Sequence, residues 1–441
     1  MAGLLENVAL IGGGLGGCAL ALALTAHDIP ITIYEARGPG ADTLTSGVVL
    51  TPNGLHVLDR LGVFDRIKDR CWISTHRTFK DRKDHTARKV VVAAKELYGY
   101  HNHRLWRKVL LDEMKEMLSE RGITINYNSK FSGFESDTHQ GVTFLINDSL
   151  QSASLLIASD GLHSTIRHYL APEIGPEYTG TIGILAHIPH SSVSWPYADY
   201  EKNATIQDKP GAIFFLPEDA EGKDLMIGLQ VQYPEQSRDD LERLNGDKDA
   251  LVDFYRKDYE KWGATAKKII DAVSTEGKES LWVWPYMRMP KLEKWFSKTG
   301  RVVLVGDGAH ALPPSSGQGV NQALEDVYSL AMILAAVSKH ESMTSIPHSN
   351  GQTNGSGTDQ RQTRVLEGLG FWQQMRQKRV DAIYDWATNS NNVQRLPEAE
   401  RNKLMAEGKI KKGTAGEGDD MSWLYAPRLE SDVQEWIDAN L

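Results

Sequence analysis

Near its start the chain reads Val8-Ala9-Leu10-Ile11, then Gly12-Gly13-Gly14-Leu15-Gly16-Gly17, then an apolar run to His27. No other stretch limits the possible folds so tightly. A short apolar run closed by glycine predicts a buried strand, and the periodicity from Leu15 onward predicts a helix. A second strand is expected over 29–34, so the segment opens a βαβ unit. In the Gly-x-Gly-x-x-Gly pattern Gly12 makes the tight turn, Gly14 lets the backbone approach a pyrophosphate, and Gly17 lets helix and strand pack closely. The helix N-terminus offers free amides and the positive end of a dipole to phosphate. Glu35 closes the second strand, where it can accept hydrogen bonds from an adenosine ribose. These features predict a dinucleotide site without separating FAD from NAD.

Downstream, helical spacing predicts helices over 52–61 and after Arg104, and strands are expected over 124–127, 142–146 and 155–157. Between 179 and 285 the character changes. Strand candidates at 182–188, 212–216, 225–231 and 281–284 are separated by Pro, Gly, Asp and Lys clusters, which reads as a sheet-rich second domain. A parallel-type strand returns at 301–305 and leads through a Gly/Pro-rich loop into a long helix over 320–337. Residues 339–363 are rich in Ser, Thr, Gly, Asn and Gln and read as a flexible surface loop. Helix returns over 371–388.

Composition narrows the partners. The chain of 441 residues carries a formal net charge of −9 with no basic block, so nucleic acid and anionic membrane are not expected partners. Its two cysteines, Cys18 and Cys71, exclude a disulfide framework and point to a reducing, cytoplasmic setting. The strand at Val8 leaves no room for a targeting peptide, and the longest apolar stretches, 18–24 and 330–337, fall far short of the ~20 residues that span a bilayer. The histidines at 101, 103, 187 and 190 lack partner ligands at metal-site spacing, so no metal is expected.

Two later strings settle the cofactor by resemblance. One is Leu155-Leu156-Ile157-Ala158-Ser159-Asp160-Gly161; the other runs Val305-Gly306-Asp307-Gly308-Ala309-His310-Ala311-Leu312-Pro313-Pro314 and on through Gly317-Gln318-Gly319-Val320-Asn321-Gln322. With the glycine fingerprint they resemble the three signatures of single-component, FAD-dependent aromatic hydroxylases, the family of salicylate, 4-hydroxybenzoate and kynurenine hydroxylases. The likeness spans about residues 5–390 and is nearest in character to fungal-type secondary-metabolite members. It implies an α/β fold in which a Rossmann-type FAD-binding domain (1–178 and 286–338) is interleaved with a sheet-rich α+β substrate domain (179–285), followed by a flexible loop and C-terminal helical region (339–441).

The resemblance also implies roles. Asp307 would bond ribityl hydroxyls. Gly317, Gly319 and Val320 would turn backbone amides to the flavin pyrimidine edge. Asp160 belongs to a motif linked to both FAD and the pyridine nucleotide, Arg104 matches an arginine that meets the cofactor, and Val48 lies in a loop, 45–50, that touches the flavin by backbone. Pro313 and Pro314 would wall the reactive flavin carbon. Phe214, Phe215, Trp282, Trp284, Tyr286 and Met287 are candidate substrate walls. The implied reaction is reduction of FAD by NAD(P)H, then transfer of oxygen from O2 to a small aromatic molecule through a flavin C4a-hydroperoxide. Several relatives carry an arginine on the strand after the Tyr-Thr-Gly turn. Here 178–187 contains none, which points away from a clamped phenolate toward a neutral, larger or indole-like substrate. His187 is a candidate base or an ordinary sheet histidine. Two other readings remain open: an FAD oxidoreductase without oxygen insertion, and a non-enzymatic escort protein. A monomer or homodimer is expected.

Overall fold

The strand Val8–Ile11 is wholly buried and pairs in parallel on both sides, with Ile31–Tyr34 and with Leu155–Ala158. Val302–Leu304 and Ile125–Asn126 complete a five-stranded parallel sheet. The outcome follows from composition: near-continuous apolar strands fit only a sheet covered on both faces. The helix Leu15–Thr25 is apolar all round, and it packs between this sheet's elements and the helices Arg107–Glu120 and Gly319–Thr344. The computed structural model describes residues 5–41, 46–344, 356–395, 403, 407 and 421–441. Among these no helix is long and apolar enough to cross a membrane.

A second, seven-stranded sheet runs in the order Trp282–Arg288, Glu177–Pro189, Asp224–Gln232, Gly211–Pro217, Ala204–Asp208, His76–Lys80 and Thr86–Val91. All its pairings are antiparallel except that of Ala204–Asp208 with His76–Lys80. The last two strands come from the N-terminal third of the chain, so the sheet draws on residues outside 179–285. Their sequences, HRTFK and TARKVV, are half polar and carry no clean apolar run. The helices Lys248–Arg256 and Ala264–Ser274 cover one face, closing a core around Ile184, Phe215, Ile227, Tyr255 and Ile269. Phe214, Leu216, Gln230 and Trp284 of this sheet line a cavity instead.

Two expectations need correction. Residues 339–363 are not all loop: the long helix runs Gly319–Thr344 and the next is Ser356–Arg395, and only 345–355 lie outside the described residues. The segment around Val48 is not a loop either. Gly47–Leu50 is an edge strand paired antiparallel with Asn102–Trp106, and off that ladder the Gly47 amide and the Val49 carbonyl are taken by side chains.

Candidate active site

The fingerprint glycines differ in what a side chain would meet. A Cβ on Gly17 would lie 2.0 Å from the Gly12 carbonyl oxygen, and one on Gly12, where φ is +104°, would lie 2.4 Å from the Ser159 carbonyl oxygen. A Cβ on Gly14 would meet nothing within 4 Å. The turn is therefore closed by backbone on two sides and open on the third. Glu35 is fixed beside it. The Gly13 amide donates to its Oε2 at 2.7 Å, and the Arg37 amide and Nε donate to Oε1 at 2.9 and 3.1 Å.

Asp307 follows the buried strand Val302–Leu304 and opens a short helix, Asp307–His310. It is exposed, and among the described residues its carboxylate has no hydrogen bond or ion pair. Arg107 interacts electrostatically with both Asp307 and Arg37. Gly317 adopts the left-handed conformation just before the long helix, and a Cβ there would face open space.

A buried polar network holds that helix start against the Gly47–Leu50 strand. Thr51 N–H donates to Asn321 Oδ1 at 3.1 Å, and Asn321 Nδ2 donates to the Val49 carbonyl at 3.0 Å. Asn53 Nδ2 donates to Gln318 and to Glu325, at 3.2 and 2.7 Å. Behind it, Arg376 pairs with Glu325 and Asp326, Arg379 adds a second cation to Glu325, and His310 lies 2.5 Å from Asp326. Sequence reasoning missed Asn53, Gln318, Glu325, Asp326, Arg376 and Arg379. The signal was present: Gln318, just before the long helix, and Asn321, Gln322, Glu325, Asp326 and Ser329 within it recur at helical spacing along its first turns, ahead of an apolar stretch.

Arg104 lies on the strand Asn102–Trp106. Its Nη2 donates to Glu218 Oε1 at 2.8 Å, and the same oxygen takes the Gly47 amide at 3.0 Å and lies 3.2 Å from His187 Nε2. Glu218 is fully buried, and it too was missed. The His187 ring is set between Trp106 and Trp282, at 4.6 and 4.9 Å. Ser164 caps the helix Thr165–Leu170 by accepting the Arg167 amide at 2.9 Å, and Asp160 lies beside this helix start. Burial raises its carboxyl above the usual range, while Ser164 and the Thr165 and Ile166 amides oppose that rise.

These parts surround a cavity of ≈ 1620 Å³. Single-ligand pockets hold roughly 300–1,000 Å³, so there is room for a dinucleotide and a second small molecule. Gly14, Val48, Arg104, Asp307, Gly317, Gly319, Val320 and Pro314 line it, as do Phe214, Trp284 and Tyr286. Gly12, Gly17, Glu35 and Asp160 stand behind that wall, and Pro313 is buried. Phe215 is core, because successive strand residues face opposite sides. Trp282 shares a face with Trp284 but lies against His187, and neither Trp282 nor His187 lines the cavity; Met287 does not either. Open glycine backbone, an unpartnered carboxylate and a helix N-terminus on one cavity suit an anionic, hydroxyl-rich group such as FAD.

The pair Phe214 and Phe215 separates wall from core. Phe215→Leu should destabilise by about 1–2 kcal/mol, whereas Phe214→Leu should shift stability by less than about 1 kcal/mol and alter ligand affinity instead. Urea unfolding of both variants checks this.

Comparison with known proteins agrees with the geometry. The family described as FAD binding domain matches residues 6–346. The FAD-dependent monooxygenase OpS4 of Beauveria bassiana is 25% identical over 393 residues, covering 86% of this chain and 82% of its own. The 6-methylsalicylate 1-monooxygenase atA of Aspergillus terreus is 24% identical, covering 75% of each. Among solved structures, CtdE in complex with FAD and substrate 4 superposes with a TM-score of 0.75 at 18% identity, covering 98% of both chains. A salicylate hydroxylase substrate complex superposes with a TM-score of 0.70 at 19% identity, covering 97% of both. The chain thus belongs to the FAD-binding monooxygenase family.

Proposed function

We propose that this chain hydroxylates or epoxidises an aromatic or indole-like small molecule, using FAD, NAD(P)H and O2, in secondary metabolism. The observation that carries the reading is that one cavity joins Asp307 and the start of the Gly319–Thr344 helix to the aromatic face of the seven-stranded sheet. When bound, FAD supplies hydride acceptance from NAD(P)H and activation of O2.

The chain's own residues do the rest. The 12–17 turn and the Leu15–Thr25 helix N-terminus bind the phosphates, with Glu35 held by Gly13 and Arg37 beside the ribose. Asp307 accepts hydrogen bonds from the ribityl hydroxyls. The amides at Gly319 and Val320 bring a positive dipole end to the pyrimidine edge, where reduction places negative charge. Arg104 is oriented by Glu218. Pro314, Phe214, Trp284 and Tyr286 enclose the substrate and exclude water. His187 is committed to Glu218 and two tryptophans, so no base role is assigned to it.

The test is NAD(P)H consumption by the FAD-loaded protein across a panel of aromatic and indole compounds, with product analysis. An oxygenated product formed in step with NAD(P)H use is expected. Oxidation of NAD(P)H that yields only hydrogen peroxide, with every panel member, would move the reading to an oxidoreductase without oxygen insertion.

A further inference from the structure

The strand Glu177–Pro189 brings no arginine to the chamber, but another strand of the same sheet does. Arg77, on His76–Lys80, lines the cavity. Its Nη2 donates to Thr205 Oγ1 at 3.0 Å, while its Nε is buried without a hydrogen-bond partner. Among the described residues no carboxylate lies within ion-pairing distance of it. A second cation, Arg88, also lines the cavity. Its guanidinium sits 4.1 Å from the Phe79 ring, and that of Arg77 sits 5.4 Å from the same ring. Two positive groups thus flank one aromatic side chain.

Among the described residues the cavity offers Arg77 no counter-ion of its own. Its lining carboxylates are Asp208 and Asp307. Asp208 takes the Gly263 amide at 2.7 Å and lies 3.8 Å from Arg82 Nε. Asp307 stands by Arg107, on the parallel-sheet side. Burial and the Arg88 charge push the Arg77 guanidinium down to about 10, which Tyr286 opposes. A cation kept from water without a counter-ion is costly unless something else pairs with it.

We propose that Arg77 is a specificity-determining residue that pairs with a carboxylate on the substrate, with Thr205 orienting its guanidinium and Arg88 adding charge. This rests on the cavity being the substrate chamber. It reverses the expectation of a neutral substrate drawn from 178–187, because the charge enters from a strand whose polar sequence hid it. The aromatic ring is left to Phe214 and Trp284.

Binding to the FAD-loaded enzyme, measured by calorimetry, tests the assignment with three acid and amide pairs: benzoate and benzamide, 1-naphthoate and 1-naphthamide, and indole-3-carboxylate and indole-3-carboxamide. At least one acid should bind about tenfold or more tightly than its amide, the usual scale for a charge-assisted pair. Arg77→Gln should bring that ratio to about one by weakening the acid alone, and Arg77→Lys should keep part of it. Arg88→Gln should reduce the ratio less. The inference fails if no acid is preferred over its amide in the unaltered enzyme. It also fails if the preference survives Arg77→Gln, or if that variant raises KM for NAD(P)H and leaves the ratio unchanged, which would assign the cation to the reductant's phosphates. The comparison in the unaltered enzyme stands even if a variant does not fold. Oxygenation of neutral aromatics with no acid preference would sink this inference while leaving the monooxygenase reading intact.

Discussion

Arg376→Gln should cost the protein about 5 kcal/mol and lower its midpoint of thermal unfolding by on the order of 10 °C. Arg376 is fully buried. Its Nη1 meets Glu325, its Nε donates to Asp326 Oδ1 at 2.8 Å, and its Nη2 donates to Gln322 Oε1 at 2.5 Å. Removing one member of a buried pair leaves the other charge stranded, at about 3–5 kcal/mol. Here one guanidinium serves two carboxylates, so the upper end applies. Arg379 stays on Glu325, with Nε at 2.6 Å, and His310 stays on Asp326. These remaining partners keep the loss from doubling. A fall of less than about 3 °C would show that the network does not carry this stability.

The same network sets the acid limb. Burial raises Glu325, but Arg376 and Arg379 more than offset it and hold the group at about 2. Burial likewise raises Asp326, and His310 and Arg376 bring it below its ordinary value. Both groups therefore bind protons more weakly folded than unfolded. Their stabilisation is fully present above the ordinary carboxylate range, near pH 4–4.5, and is lost as pH falls toward 2. In Arg376→Gln the burial penalty stays while the main attraction goes, so acid unfolding should begin at higher pH. Flavin affinity should fall as well, because Asp326 Oδ2 accepts the Gly306 amide at 3.0 Å, next to Asp307, and Glu325 holds Asn53.

That network shows where sequence reading stops. The 12–17 turn was legible because each glycine answers a local demand: a positive φ, a backbone contact or open access. Asn53 and Glu325 are 272 positions apart, and no local pattern links them. Their polarity on an apolar helix could be seen, but not what satisfied it. Phe214 and Phe215 could be nominated from composition, yet only the register of Gly211–Pro217 tells wall from core. Trp282 and Trp284 share a face because strand residues alternate, but that Trp282 ends against His187 is not visible from that alternation. Arg77 was hidden because HRTFK pairs not only with the neighbouring strand Thr86–Val91 but also with Ala204–Asp208, far along the chain, and Arg77 faces a cavity that forms only once they meet.

Asp307→Ala should weaken FAD binding about 10- to 100-fold, the loss expected from removing charge-assisted hydrogen bonds worth roughly 1.5–3 kcal/mol. The carboxylate has no hydrogen bond or ion pair within the described protein, so its bonding capacity is free for the cofactor, and its removal forfeits only the longer-range attraction to Arg107. Asp307→Asn keeps the shape and half of the acceptor capacity, and should fall between the two. The two effects can be separated. Unfolding of the apo forms should differ little, because only the attraction to Arg107 is lost. With FAD present the unaltered protein should gain RT ln(1 + [L]/Kd), and Asp307→Ala should gain about 1.4–2.7 kcal/mol less at the same cofactor concentration. Desalted protein should show the same order in its ratio of visible flavin absorbance to protein. A variant that stays fully yellow, turns over normally and keeps the whole FAD-dependent gain would mean that Asp307 does not grip the cofactor and that the cavity has been read the wrong way round.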